Sequence, residues 1–231
     1  MNTYRGKRVV IIGAARQGTA LARYMVRQGA EVTINDRQTA EQLHAVMASF
    51  SDYPVAWVLG DHPLSLLDDA DHLFISGGVP MNLPVVRAAY ERGIPVSNDS
   101  QVFMEAVKAP VVGITGSAGK TTTTTLFGRI AEAAVKSPRK AWVGGNIGRP
   151  LVEYVEEIDV NDLVIQELSS FQLELMTVSP RVAAILNITP NHLDRHADMA
   201  EYIRAKSHII AFQKHGDTAV LNHEDREAWD L

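Results

Sequence analysis

Short apolar runs alternate with segments of helical spacing along most of the chain. Residues 8–12 form a β-rich run, residues 19–28 carry apolar side chains at helical spacing, and residues 31–35 form a second apolar run. The alternation continues with strands predicted at 55–59, 72–76 and 94–97 and helices at 83–92 and 101–107. Strands that alternate with helices predict an α/β protein whose parallel sheets are covered on both faces.

A break after the helix at 101–107 divides this pattern in two. Lys108, Ala109 and Pro110 interrupt the helix immediately before the next apolar run. We therefore predict a Rossmann-like domain over residues 1–108 and a P-loop-type ATPase domain over residues 109–231. The second domain has strands predicted at 110–114, 140–143, 163–166, 182–188 and 217–222 and a helix at 199–213. It ends in a polar stub, so we expect it to be incomplete.

The strand at 110–114 runs into a glycine-rich turn and then a helix, the order found in phosphate-binding loops. The predicted ATP-binding residues are Gly116, Ser117, Ala118, Gly119, Lys120, Thr121 and Thr122. Glycines let backbone N–H groups close on phosphate oxygens, and the helix offers its positive N-terminal end. Lys120 would contact the outer phosphates, and the Thr121 hydroxyl would ligate Mg²⁺. The usual spacing wants a small residue at Ile114, whereas the glycine is Gly113.

Polar side chains follow the carboxyl ends of other strands in the second domain. Asn146, Glu167 and His192 each come after a predicted strand, on the edge of the sheet that carries the phosphate loop. We predict metal-related roles for Glu167 and His192, although residues at strand ends are often only solvated. In the segment His-x-Asp-x-His we assign a role to His192 alone, and we leave Asp194 and His196 as structural or supporting residues.

A lysine interrupts the apolar stripe of the helix at 199–213. Lys206 falls among apolar residues that recur at intervals of three, four and seven, namely Met199, Tyr202, Ile203, Ile209 and Ile210. An ammonium group on a core-facing stripe is unfavourable unless it reaches water or meets a carboxylate, a phosphate or a modification. The stripe therefore predicts either a lysine that extends to the surface or a functional one.

The first strand–helix–strand unit resembles a nucleotide-binding turn with one defect. The turn runs from Gly13 to Gly18, and the second strand delivers Asp36 to its carboxyl end. Ala15 replaces the middle glycine that lets a pyrophosphate approach, so NAD is disfavoured and another nucleotide or a purely structural turn is favoured. The turn at Gly77 and Gly78 could contact a ligand or could simply reverse the chain.

Composition narrows the function classes only a little. The chain has 231 residues, a net charge of −5 and a pI near 5.9, which give no electrostatic reason to expect nucleic acid or an anionic membrane as a partner. The absence of cysteine excludes disulfides and cysteine-ligated zinc, as is typical of the cytoplasm. No signal peptide or transmembrane segment is visible. We expect a cytoplasmic protein and a monomer.

Four segments in register resemble the central domain of the Mur ligases. They read GITGSAGKTTTT, GGNIGRPL, ELSSFQLE and NITPNHLDRH, and ELSSFQLE is most similar to the members that add D-glutamate. The preceding VVIIGAARQG together with Asp36 resembles the UDP-binding N-terminal domain of the same family. The resemblance covers essentially the whole chain.

The resemblance implies a set of ligands and residue roles. It implies ATP, Mg²⁺, UDP-N-acetylmuramoyl-L-alanine and D-glutamate as ligands, with an acyl phosphate formed on the alanine carboxylate before the D-glutamate amine attacks. Lys120, His192 and Lys206 would be catalytic, with Lys206 carbamylated, and the metal ligands would be Thr121, Glu167, His192 and carbamylated Lys206. The muramoyl-alanine contacts would be Asn146, Ser169, Gln172 and His192. The UDP contacts would be Arg16, Gln17, Asp36, Arg37, Gly77 and Gly78.

One departure from the family pattern bears on activity. The family's third domain, which supplies most D-glutamate contacts, has no counterpart in the sequence, so we expect a truncated and inactive ligase. The alternative is a non-catalytic module that binds a UDP-sugar or another nucleotide. An NAD-dependent oxidoreductase is disfavoured by Ala15.

Overall fold

The computed structural model describes residues 4–191, 196 and 198–231. The chain divides into two compact units, Met1–Asp99 and Ser100–Leu231. In the described residues each unit contains one five-stranded sheet whose strand pairs are all parallel. This arrangement confirms the predicted α/β class with two parallel sheets.

The first unit has the strand order β3-β2-β1-β4-β5. Its elements are β1 (Arg8–Ile12), α1 (Arg16–Arg27), β2 (Glu31–Asp36), α2 (His44–Ala48), β3 (Val55–Leu59), a 3-10 turn (Leu64–Leu67), β4 (His72–Ile75), α3 (Pro84–Glu91) and β5 (Val96–Ser97). The central strand β1 pairs with a strand on each side and is buried from Val9 to Ile12. Ile12 pairs with both Asn35 and Ile75, so the loops after these strands meet at one edge.

The second unit has the strand order β10-β9-β6-β8-β7. Its elements are α4 (Asp99–Ala106, beginning at the boundary), β6 (Val111–Thr115), α5 (Lys120–Ala134), β7 (Ala141–Gly145), a 3-10 segment (Leu151–Glu157), β8 (Leu163–Glu167), α6 (Ser170–Leu173), β9 (Val182–Ile185), α7 (Met199–Ala211), β10 (Thr218–Leu221) and α8 (Arg226–Trp229). Part of its core is formed by Val112, Ile114, Ala131 and Ile165.

The division between the units falls earlier in the chain than the predicted boundary after residue 108. Helix α4 is grouped almost entirely with the second unit. Its residue Gln101 donates from Nε2 to Thr177 Oγ1 at 2.9 Å and accepts from the Thr177 N–H at 2.8 Å. This pair of hydrogen bonds ties α4 to the segment that precedes β9.

The departure from phosphate-loop spacing has a packing cause. Ile114 is 1% exposed and fills the core of β6, so it belongs to the strand and not to the turn. A Cβ atom at Gly113 would lie 2.5 Å from Pro180 Cγ and 3.4 Å from Ile209 Cδ1. Glycine at 113 therefore gives α7 and the segment before β9 room to pack against the strand.

Helix α7 packs through part of the stripe that the sequence indicates, since Tyr202 and Ile209 are buried whereas Met199, Ile203 and Ile210 are half-buried. Its buried residues are Tyr202, Ala205, Lys206 and Ile209. Lys206 is 1% exposed, so the alternative in which its side chain extends to water is wrong. Within the described residues, no helix is both long and apolar enough to cross a bilayer.

Candidate functional site

The turn after β6 presents the start of a long helix at the edge of the second sheet. Gly119 precedes α5 with φ +80°, a left-handed conformation that suits glycine. The first N–H groups of a helix have no partner within the helix and carry its partial positive charge. The α5 N-terminus is therefore a potential anion site at this edge.

Two lysines converge on one carbonyl of this turn. Lys120 Nζ donates to Gly116 O at 2.8 Å and to Ser117 O at 3.3 Å. Lys206 Nζ donates to the same Gly116 O at 3.0 Å and lies 3.4 Å from Thr115 Oγ1. Both long side chains thus contact the phosphate loop, Lys120 from the start of α5 and Lys206 from α7. The position of Lys206 agrees with the site role that the family resemblance implies for it.

Burial lowers the pKa of both lysines. Burial, and secondly the neighbouring Lys120 cation, lower the pKa of Lys206 to about 7. Burial also lowers the pKa of Lys120, and the Glu167 carboxylate opposes that shift. An anion bound at the loop would relieve the repulsion between the two ammonium groups.

A buried carboxylate lies beside the first turn of α5. Glu167 is 1% exposed at the carboxyl end of β8. Its Oε2 atom accepts from Thr121 Oγ1 at 2.9 Å, and its Oε1 atom accepts from Asn146 Nδ2 at 2.8 Å. The structure thus brings together Thr121, Glu167 and Asn146, as the strand order predicts.

The donor set at Glu167 fits a hard cation. In the described residues both hydrogen-bond donors to Glu167 are neutral, although its carboxylate is buried. Mg²⁺ binds carboxylate and hydroxyl oxygens, and it is usually held by one or two carboxylates together with waters and phosphates. The described residues contain no group of three or more His, Asp or Glu residues that could hold a metal ion. Glu167 and Thr121 therefore fit a phosphate-bound metal better than an all-protein cage.

Ser117 and Ala118, which the sequence assigns to ATP, direct their polar groups into the protein. The Ser117 hydroxyl donates to Thr189 O at 2.9 Å and accepts from Thr189 N–H at 2.9 Å. It also lies 3.0 Å from the Tyr202 hydroxyl, which acts as the donor because the Ser117 proton is already used. The Ala118 N–H donates to Asn187 Oδ1 at 2.8 Å. Thr121 and Thr122, in contrast, are exposed.

Ser169 and Gln172 form the start of α6. Gln172 Oε1 accepts from the backbone N–H and the hydroxyl of Ser169 at 3.1 Å each, and Ser169 Oγ accepts from Gln172 N–H at 3.3 Å. Gln172 is completely buried, so its observed contacts are those of a helix cap and not of a surface ligand residue. The spacing Ser-x-x-Gln is a capping-box signal that the sequence contained.

The predicted histidine segment is described only in part. His192 and Asp194 lie outside the described residues. His196 is 2% exposed, with Nε2 3.0 Å from Ser170 Oγ. Its ring stacks on Phe171 with centroids 5.3 Å apart and an interplanar angle of 8°. His196 therefore joins the beginning of α6 to the segment before α7, in agreement with a structural role.

The corresponding edge of the first unit is organised by Asp36. Its Oδ2 atom accepts from the Ala14 N–H at 2.7 Å, and its Oδ1 atom accepts from the Gln38 N–H at 2.9 Å. The Ser76 hydroxyl donates to Gly13 O at 3.1 Å, which joins the turn after β4 to the turn after β1. The carboxylate of Asp36 thus fixes two loops.

The other residues predicted to contact UDP surround these loops. Arg16 and Arg37 are exposed, whereas Gln17 is half-buried. A Cβ atom at Gly77 would lie 3.4 Å from Gln17 Oε1, and nothing would meet one at Gly78 within 4 Å. Arg16, Gln17, Asp36 and Gly77 therefore lie at one edge of the first sheet.

Family models match both parts of the chain. Residues 7–98 match the model described as Mur ligase MurD-like, N-terminal domain, and residues 114–230 match the model of the Mur ligase middle domain. A UDP-N-acetylmuramoylalanine–D-glutamate ligase from Symbiobacterium thermophilum is 45% identical over 95% of this chain and 48% of its own length. The protein of the same name from Syntrophotalea carbinolica is 41% identical over 97% of this chain and 49% of its own length. The chain spans about half the length of the curated relatives it matches.

Solved structures share the fold at low sequence identity. The UDP-N-acetylmuramate:L-alanyl-γ-D-glutamyl-meso-diaminopimelate ligase from Neisseria meningitides aligns with a TM-score of 0.60 and 21% identity, over 97% of this chain and 74% of that one. The UDP-N-acetylmuramate-alanine ligase MurC from Thermotoga maritima aligns with a TM-score of 0.54 and 18% identity, over 96% of this chain and 50% of that one. These alignments show a common fold.

Proposed function

This chain belongs to the Mur ligase family, and from that premise we propose that it is the nucleotide-binding part of an ATP-dependent ligase acting in the cytoplasm. The proposed reaction joins D-glutamate to UDP-N-acetylmuramoyl-L-alanine. The names of the curated relatives support this choice of reaction. The arrangement of Lys120, Lys206 and Glu167 around one phosphate loop supports the use of ATP.

The second unit would bind ATP through its phosphate loop. Lys120 would leave the Gly116 carbonyl and contact the outer phosphates, while the N–H groups at the start of α5 hold phosphate oxygens. Thr121 and Glu167 would hold Mg²⁺, and His192 would complete the site. The metal would neutralise charge that develops on the phosphates during transfer.

The chemistry proceeds in two balanced steps. The alanine carboxylate attacks the γ-phosphorus of ATP, and the bond to the leaving ADP oxygen breaks, which gives an acyl phosphate. The D-glutamate amine then attacks the acyl carbon, loses a proton and expels inorganic phosphate. Lys120 would stabilise the transferred phosphoryl group, because cations that converge on it compensate the charge of the transition state.

Lys206 would act as a modified metal ligand. With a pKa of about 7, Lys206 is a neutral amine in a large fraction of the molecules at physiological pH. The neutral amine is the form that combines with CO₂ to give a carbamate and a proton. The product carries a carboxylate in place of an ammonium group beside Lys120. Carbamylation would therefore turn repulsion between two cations into attraction.

The first unit would bind the UDP part of the substrate. Asp36, Arg16 and Gln17 lie at its ligand edge, and Arg37, Gly77 and Gly78 contribute to the same edge. Asn146, Ser169 and Gln172 would serve the muramoyl-alanine end, with Gln172 acting through the Ser169 cap that it holds.

Calorimetric titration of the 231-residue chain tests this proposal. We expect MgATP and UDP-N-acetylmuramoyl-L-alanine each to bind with a stoichiometry of one, without competition. Binding of the UDP compound alone would favour a nucleotide-sugar-binding module. Binding of NADH in place of the UDP compound would contradict the assignment of the first unit.

A further inference from the structure

A short segment after β9 is bonded directly to the phosphate loop. In the described residues, five hydrogen bonds join Ser117 and Ala118 to Asn187 and Thr189. The Ser117 N–H donates to the backbone Asn187 O at 2.9 Å, and the two-way contact of Ser117 with Thr189 adds two more bonds. The remaining two come from the Asn187 side chain.

The Asn187 side-chain amide forms hydrogen bonds with both the backbone N–H and the backbone C=O of Ala118. Its Oδ1 atom accepts from the Ala118 N–H at 2.8 Å, and its Nδ2 atom donates to Ala118 O at 3.1 Å. A carboxamide offers both a donor and an acceptor in this orientation, whereas a carboxylate offers only acceptors. Alanine would therefore lose both hydrogen bonds, and aspartate would keep only the acceptor of the Ala118 N–H and would place a negative charge against Ala118 O.

This contact fixes the part of the loop that directs the phosphate donors. Ala118 comes immediately before Gly119, whose left-handed φ of +80° turns the chain into α5. Because the N–H groups of Ser117 and Ala118 are held by Asn187, the groups that remain to face an anion are those from Gly119 onward. The orientation of the Ala118 peptide thus determines where these donors point.

We propose that Asn187 is a positioning residue that holds the phosphate loop in its anion-binding shape. This inference rests on the proposed function, since it assumes that the loop binds the phosphates of ATP. The same contact joins the loop to the segment that reaches His192 five residues later in the sequence. Asn187 would then hold the loop in this shape before ATP arrives, which lowers the ordering cost of binding.

The chain offers a matched control for a purely structural role. Asn222 Nδ2 donates to Leu186 O at 2.9 Å, and Asn222 Oδ1 accepts from the Glu224 N–H at 3.1 Å. Asn222 therefore ties down the residue next to Asn187, but from the side of β10 and without contacting the phosphate loop. Asn222→Ala should loosen the segment to a similar extent and leave Ala118 held.

The test measures the dissociation constants of MgATP and of inorganic tripolyphosphate for the 231-residue chain by calorimetry. For Asn187→Ala we expect about tenfold weaker binding of both, the equivalent of one lost net hydrogen bond at the loop. Asn187→Asp should bind more weakly still, because it adds a negative charge beside the phosphates. Asn222→Ala should bind as the unchanged chain does. Equal loss with MgATP and tripolyphosphate would show that the phosphate contacts are affected.

A measurement on the unchanged protein guards against variants that fail to fold. Ala118 is exposed, yet its N–H should exchange with solvent slowly in the absence of nucleotide because Asn187 Oδ1 accepts it. Exchange as fast as that of an unbonded surface amide would overturn the inference. So would unchanged affinity in Asn187→Ala while the original chain binds MgATP. If the original chain binds neither MgATP nor tripolyphosphate, the proposed function itself fails, and the positioning role fails with it.

Discussion

Each unit has a glycine-containing turn after its central parallel strand, but the side chains that bond to the two turns carry opposite charges. In the first unit the turn after β1 is held by a carboxylate, since Asp36 accepts the Ala14 N–H. In the second unit the turn after β6 is flanked by two lysines that donate to the Gly116 carbonyl. Similar topology therefore gives two turns that are held by groups of opposite charge, although Arg16 and Arg37 are exposed at the first edge and Glu167 lies beside the second turn.

This difference indicates which part of a ligand each edge can accept. A polyphosphate at the first turn would meet the Asp36 carboxylate and would have to compete with it for the Ala14 N–H. A neutral base or ribose hydroxyl faces no such repulsion. At the second turn, anionic phosphates would relieve the crowding of Lys120 and Lys206. From this comparison we expect the first turn to receive an uncharged part of a nucleotide and the second turn to receive phosphates.

The largest expected effect concerns Lys206 and the pH dependence of stability. Its folded pKa of about 7 is below the value of 10.5 for a free lysine, so the unfolded chain binds more protons between these values. Stability should therefore rise with pH from 7 to 10.5, by up to about 5 kcal/mol for a shift of this size.

The measurement is the free energy of unfolding in CO₂-free buffer for the original chain and for Lys206→Met. We expect the difference between the two proteins to favour the original chain increasingly as the pH rises through this window. A pH-independent difference would mean that the fold does not lower the pKa of Lys206.

The second prediction is that substitution of Lys120 affects the binding of MgATP and not the binding of UDP. Removal of a charge-assisted contact to phosphate in Lys120→Ala should weaken MgATP binding by about 100-fold, equivalent to roughly 3 kcal/mol. UDP binding by the first unit should not change. Lys136→Ala, which removes an exposed lysine after α5, is the matched control and should leave both affinities unaltered. Equal loss of both ligands in Lys120→Ala would contradict the separation of the sites.

The third prediction concerns the carboxylate of the first unit. Asp36→Ala leaves the Ala14 and Gln38 N–H groups without their acceptor, so we expect a loss of about 1–3 kcal/mol in the free energy of unfolding and weaker UDP binding. Asp36→Asn retains one acceptor oxygen and should lose less. Both can be measured by denaturant unfolding and calorimetry, with MgATP affinity as the internal control. A variant that kept full stability and full UDP affinity would show that Asp36 organises neither loop nor ligand.

Most of the fold was predictable because its strands are continuous apolar runs. The prediction of β9 was too long, since the strand ends at Ile185. Leu186 still donates its N–H to Thr115 O at the end of β6, but Asn187 and Thr189 then bond to Ser117 of the phosphate loop. Short helices were missed where local signals are weak, as at α2 and α8. Helix α6 was missed although Ser169 and Gln172 carry a capping signal, because it spans only four residues.

The site was predictable where it depends on strand ends and helix periodicity. Lys206 could be found because it breaks an apolar stripe, and Glu167 because it ends a strand. The contact between Asn187 and Ala118 could not, since it joins residues 69 positions apart through a single side chain. The inward orientation of the Ser117 side chain could not be predicted either, because it depends on hydrogen bonds with Thr189 and Tyr202, which are distant in the sequence.

The most direct test of the account is to map both ligands onto backbone amide resonances of the same sample. Addition of MgATP should shift the amides from Gly116 to Thr122, and UDP should shift those around Ala14 and Asp36. Each ligand should give the same shifts whether or not the other is present. If both ligands shifted the same set of amides, or if MgATP shifted those around Asp36 and left the loop before α5 unchanged, the assignment of phosphate binding to the second unit would be wrong.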